Sequence, residues 1–160
     1  HKSKAAALIM MLAPGVHFIH QGQLEGFKIK LPIQLIRRPV EKENKETYSF
    51  YTLLYSNLKT INQDLKPWLL LQPNAAWDGN YTHNNFIGLI NQSNYFAVVN
   101  YSYSQSQCYF PFKLADKNSK NILFKDLLNH VEYERPKEDI VSRGLYLDMP
   151  PFGFHIFKIG

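Results

Sequence analysis

Hydrophobic and polar positions follow two different rhythms along this chain. Beyond Pro67, β-branched and aromatic residues come in short runs separated by clusters of Asn, Ser, Gly and Pro, the pattern of strands joined by turns. The runs cover residues 68–72, 85–90, 95–101, 107–112, 121–127, 131–135, 144–149 and 154–159. Connections such as Asn91-Gln92-Ser93-Asn94 are short and polar, which favours hairpins over helical crossovers and therefore an antiparallel sheet. So many short strands, each with an apolar and a polar side, predict two sheets packed face to face with Greek-key links. The expected architecture of residues 63–160 is an antiparallel β-sandwich.

Before that point the rhythm is mixed. Residues 4–12 are helix formers, and Ala13-Pro14-Gly15 supplies a stop. Val16, Phe18 and Ile19 then read as a short strand covered on both faces, as in a parallel sheet, ended by Gly22. The loop Gln21-Gly22-Gln23-Leu24-Glu25-Gly26 follows, and after it apolar residues alternate over 27–36, where Pro32 restricts the segment to an edge or an extended connection. Charged residues 41–46 open a second helix, with Tyr48, Tyr51, Leu54, Tyr55 and Leu58 on one face and an end near Lys59. Helix, buried strand and helix make residues 1–62 an α/β unit.

Composition narrows the class. The chain has 160 residues, 45% hydrophobic and 14% aromatic, enough apolar material for a packed core. The formal charge of +5 is spread along the chain, with only Arg37 and Arg38 adjacent among the basic residues, so no nucleic-acid partner is expected. The apolar run 5–13 is too short to cross a bilayer, and the strand-like residues after it argue against a signal peptide. Cys108 is the only cysteine, which fits a reducing compartment and a cytoplasmic location. The sequons at Asn80, Asn91 and Asn100 carry little weight in so Asn-rich a chain. A helix already in progress at His1 suggests a fragment.

The wording of several segments resembles the C-terminal end of the alpha-amylase family of glycoside hydrolases. Leu12-Ala13-Pro14-Gly15-Val16-His17-Phe18-Ile19-His20-Gln21-Gly22 is similar to the family's leucine-proline-glycine turn into the last barrel strand. His20-Gln21-Gly22 departs from the two tyrosines and glycine usual there. Val98-Val99-Asn100-Tyr101-Ser102 and residues 144–157 resemble the asparagine-tyrosine-serine strand and the closing strand pair of the family's C-terminal sandwich. The resemblance implies that residues 1–62 are the end of a (β/α)8 barrel and that the missing upstream barrel is the natural partner. It also implies that the nucleophilic aspartate, the acid/base glutamate and the second aspartate lie upstream of His1. No catalytic residue, cofactor or metal is then expected within this stretch.

The loop after a barrel strand lies on the substrate face of such an enzyme, so Gln21, Gln23 and Glu25 are candidates for contacting sugar hydroxyls, or else a local structural loop. Trp77 and Tyr81 flank a polar loop and offer flat rings for sugar stacking, or else pack the sandwich. Glu132, Glu134, Glu138, Asp139 and Asp148 fall in turn-rich, charged surroundings and are expected to be solvated. His17 and His20 point to opposite faces if the strand forms, which disfavours a shared metal. Cys108 has no visible base and reads as a buried thiol. Rival readings are a stand-alone carbohydrate-binding sandwich and an interaction domain without sugar affinity. One barrel strand and two helices cannot close a barrel, so self-association through their apolar faces is expected.

Overall fold

A computed structural model describes residues 1–29, 37–61, 67–113 and 119–160. Two helices, α1 (Lys2–Leu12) and α2 (Lys45–Ile61), precede a run of strands. These are β1 (Trp68–Leu71), β2 (Asn74–Ala75), β3 (Phe86–Asn91), β4 (Tyr95–Asn100), β5 (Ser106–Phe110), β6 (Asn121–Asp126), β7 (Glu132–Pro136), β8 (Leu145–Met149) and β9 (Phe154–Ile159). A 3-10 turn spans Thr82–Asn85, and a short helix α3 (Lys137–Ser142) links β7 to β8. The larger sheet has the order β1-β3-β4-β9-β6-β7 and the smaller one β2-β5-β8. All of their ladders are antiparallel. The protein is thus mainly antiparallel β, in two packed sheets.

Three layers result, and strand alternation sorts the side chains among them. On one face of the large sheet, Tyr95, Ala97, Val99 and Ile156 share a core with Ala5, Leu8 and Leu12 of α1 and with Phe50, Leu54 and Leu58 of α2. On the other face, Phe96, Val98, Phe124 and Phe157 meet Cys108, Phe110, Leu147 and Met149 of the small sheet. Rings dominate this second core: Phe96 meets Phe110 at 5.0 Å and Phe112 at 4.9 Å, both edge to face, the geometry that aromatic quadrupoles favour. All six residues of β4 are buried.

The eight sandwich strands read from the sequence are all present, with ends displaced by no more than a residue or two. Three elements are additional: the two-residue β2, the 3-10 turn and α3. The α2 stripe is shifted from the expected one. Its buried positions are Phe50, Tyr51, Leu54, Leu58 and Ile61, while Tyr48 is exposed.

The strand expected at 16–19 is corrected. These residues form no ladder, Val16 is fully exposed and Phe18 is 77% exposed. A parallel strand needs neighbours on both sides and cover on both faces, and no strand among the described residues pairs with it. His17 instead bonds the Ala13 carbonyl at 2.7 Å. The expected extended segment 27–36 lies outside the described residues from position 30 on.

Gly88 shows how tightly the sheets close. It faces Phe110 from β3, and a Cβ there would lie 2.3 Å from Cε1 and 2.7 Å from Cζ of that ring. Gly88→Ala is therefore expected to destabilise by about 1–3 kcal/mol through overpacking. Chemical denaturation should show the loss, and Phe110→Leu should recover part of it in the double variant.

Candidate functional site

The sequence-derived candidates fall in two separate places. Gln21, Gln23 and Glu25 occupy a tight turn beside the helices, closed by Gln23 N–H to the His20 carbonyl at 3.0 Å and Phe27 N–H to the Gly22 carbonyl at 2.9 Å. The Gln23 amide is engaged in holding that turn: its Oε1 accepts from the His20 N–H at 3.2 Å, and its Nε2 donates to the Tyr51 hydroxyl at 2.9 Å. The Glu25 carbonyl accepts from the Asn44 N–H at 2.9 Å, just before α2. Gln21 and Gln23 line a hollow of about 340 Å³ with His20, Phe27, Lys28 and Arg38. The Arg38 guanidinium covers the Phe27 ring at 3.9 Å.

Trp77 and Tyr81 lie on the opposite side of the molecule, in the loop leaving β2. They are 56% and 77% exposed. Their backbone is fixed by Asn80, which is buried. Its Oδ1 accepts from Thr82 N–H at 2.8 Å and Thr82 Oγ1 at 2.6 Å, and its Nδ2 donates to Gln107 Oε1 at 3.3 Å. Gln107 N–H in turn donates to Thr82 Oγ1 at 2.9 Å. The large sheet separates this loop from the Gln21–Gln23 hollow, so the two sets cannot act on one substrate unit.

A third constellation has no counterpart in the sequence reading. The alternation of β6 turns Ile122, Phe124 and Asp126 inward, and Asp126 ends up fully buried at the end of the strand. His155 Nδ1 of β9 donates to Asp126 Oδ2 at 2.6 Å, as does Asn129 Nδ2 at 2.6 Å. The Leu128 N–H donates to Oδ1 at 3.0 Å. Burial pushes the Asp126 carboxyl up, but the bonds from His155, Asn129 and the Leu128 N–H outweigh it and hold the group below the usual carboxylate range. His155, with Asp126 buried behind it, lines a cleft of about 650 Å³ whose walls include Lys4, Glu46, Phe50 and Phe154.

An aspartate behind a histidine is the orienting half of an acid–base device. Here no hydroxyl or thiol is bonded to His155 among the described residues, and the carboxylate is saturated by the turn it caps. The arrangement holds the β6–β7 hairpin to β9. Nothing in the order of residues announces it, since Asp126 and His155 are 29 positions apart.

Other expected features are placed as follows. Cys108 is buried, and burial drives its thiol far above the ordinary value, so it is no nucleophile at neutral pH. Glu132, Glu134, Glu138, Asp139 and Asp148 are exposed. Among the described residues, no group of three or more His, Cys, Asp or Glu side chains is placed to hold a metal ion. No helix among them is long and apolar enough to cross a membrane. All three sequon asparagines are buried. Asn91 Oδ1 accepts from Ser93 N–H at 3.0 Å and Tyr95 N–H at 3.1 Å, and Asn100 Nδ2 donates to the carbonyls of Ser104, Met149 and Pro150 at 2.8–3.0 Å.

No family model matches the chain, and no curated protein matches it.

Because the folded carboxyl of Asp126 lies below its unfolded value of about 3.9, its contribution to stability is fully present above that pH and is lost as pH falls through the folded value. Asp126→Ala should cost about 2–4 kcal/mol at pH 7, by stranding His155 and Asn129. The difference between the variant and the parent in denaturant melts should shrink steadily below about pH 4.

Proposed function

We propose that this chain is the C-terminal part of an alpha-amylase family glycoside hydrolase acting on α-glucans or related oligosaccharides. In this reading residues 1–62 are the end of its (β/α)8 barrel. The rest is a Greek-key sandwich whose role is structural, in a cytoplasmic enzyme whose catalytic carboxylates lie upstream of His1.

The observation that carries the reading is the pairing of two features in the first third. The apolar stripe of α2, through Phe50, Leu54 and Leu58, is already covered by the outer face of the large sheet. The segment after α1 leaves Val16 and Phe18 in solvent, at the position where the resemblance expects the last barrel strand. An exposed apolar segment beside a covered helix leaves room for neighbouring strands that an upstream barrel would supply. The chain's switching between sheets, from β4 to β5 and from β5 to β6, supports the Greek-key part. Gln21 would then lie at the rim of a sugar subsite, with Gln23 and Glu25 shaping the loop that carries it.

The coding sequence upstream of His1 tests the proposal directly. An open frame with barrel strands, a nucleophilic aspartate and an acid/base glutamate is the expected result; an upstream frame without them would overturn it.

A second outcome concerns the chain by itself. Val16, Phe18 and Ile29 are exposed apolar side chains, and burying them between copies is favourable by roughly 25 cal/mol per Å². Light scattering should report a species larger than a monomer, and Val16→Ser with Phe18→Ser should return it to one.

A further inference from the structure

The outward face of the small sheet is a second place where sugar chemistry is legible, and it does not depend on the barrel. Cys108 and Leu147 point into the core between the sheets, so their neighbours point out. The outward positions of β5 and β8 are Gln107, Tyr109, Tyr146 and Asp148. None is aliphatic. Tyr109 and Tyr146 are directly opposite in the ladder, with ring centroids 5.3 Å apart and planes tilted by 52°. Tyr146 is 42% exposed.

Two residues farther along each strand, roughly 7 Å away, a polar row begins. Gln107 is paired with Asp148 across the ladder. Gln107 Nε2 donates to Asp148 Oδ1 at 2.9 Å, and Gln105 Nε2 donates to the same oxygen. Two amides thus hold one oxygen of an exposed carboxylate whose Oδ2 has no partner among the described residues. Gln107 Oε1 accepts from Asn80 Nδ2, which ties the Trp77–Tyr81 loop to this row. The strands direct that loop to the polar end, because β2 runs antiparallel to β5 from Asn74↔Tyr109 to Ala75↔Cys108.

We infer that the Tyr109–Tyr146 pair, the Asp148 row and the Trp77 loop form one track that binds a neutral, linear oligosaccharide. The exposed Tyr146 ring suits the apolar face of a sugar unit, as flat aromatic surfaces do for amphipathic ligands, while Tyr109 backs it and lies under the Arg143 guanidinium at 5.9 Å. An oriented carboxylate and side-chain amides between the rings suit hydroxyls. The free Asp148 oxygen repels phosphate, which disfavours a nucleic acid or phosphorylated ligand. A track on an open face also fits a chain ligand better than a compact one, which needs a concave pocket.

The test is calorimetric titration of the whole chain with maltoheptaose and, separately, cellohexaose. Saturable binding to at least one of them is expected, weakened about tenfold or more by Tyr146→Ala and by Asp148→Ala. Tyr146→Phe keeps the ring and should bind within about threefold of the parent, which separates stacking from a folding defect. Lys59→Ala, on the helical layer, should bind as the parent does. No saturable binding to either sugar up to about 10 mM, or parent affinity in Tyr146→Ala, would overturn the inference. Since the readout is binding by this chain alone, it stands or falls separately from the upstream coding sequence.

Discussion

Everything in this molecule leans on one strand. β4 is buried along its whole length, contributing Tyr95, Ala97 and Val99 to the helical core and Phe96 and Val98 to the core between the sheets. Burial on both faces is usual for parallel sheets under helices; here an antiparallel sheet acquires it because α1 and α2 cover one side and a second sheet the other. Neither core is complete without this wall. The two cores are therefore coupled, and a disturbance in one is felt in the other through a packing that tolerates few voids.

That coupling explains what was legible in advance and what was not. Strands such as β6 and β8 alternate strictly between buried and exposed residues, so their side chains carry the period of two that marks a half-buried strand. β2 has only two residues and α3 buries only Ile140, too little for any periodicity to register. Val16 and Phe18 misled for the opposite reason. An apolar run looks the same whether or not neighbours exist to pair with it, and pairing is a property of the whole sheet.

The candidate sites divide along the same line. The Trp77-Asp78-Gly79 turn could be found from local residues, because turn chemistry is local. The role of Gln23 could not, since it depends on Tyr51, 28 positions away. The Asp126–His155 pair likewise exists only once β6 and β9 are neighbours. The small-sheet face was hidden in a similar way: Tyr109, Tyr146 and Asp148 look unrelated in the chain and become adjacent only through the β5–β8 register.

The buried amides of Asn80, Asn91 and Asn100 have a consequence for how the chain can be made. Oligosaccharide transfer to such triplets takes place on chains that have not yet closed, whereas these side chains are accessible only in that state. A bulky glycan on Asn100 would occupy the space of its bonds to Ser104, Met149 and Pro150 and keep β4 from meeting its neighbours. A glycan on that side chain and the closed fold therefore exclude one another.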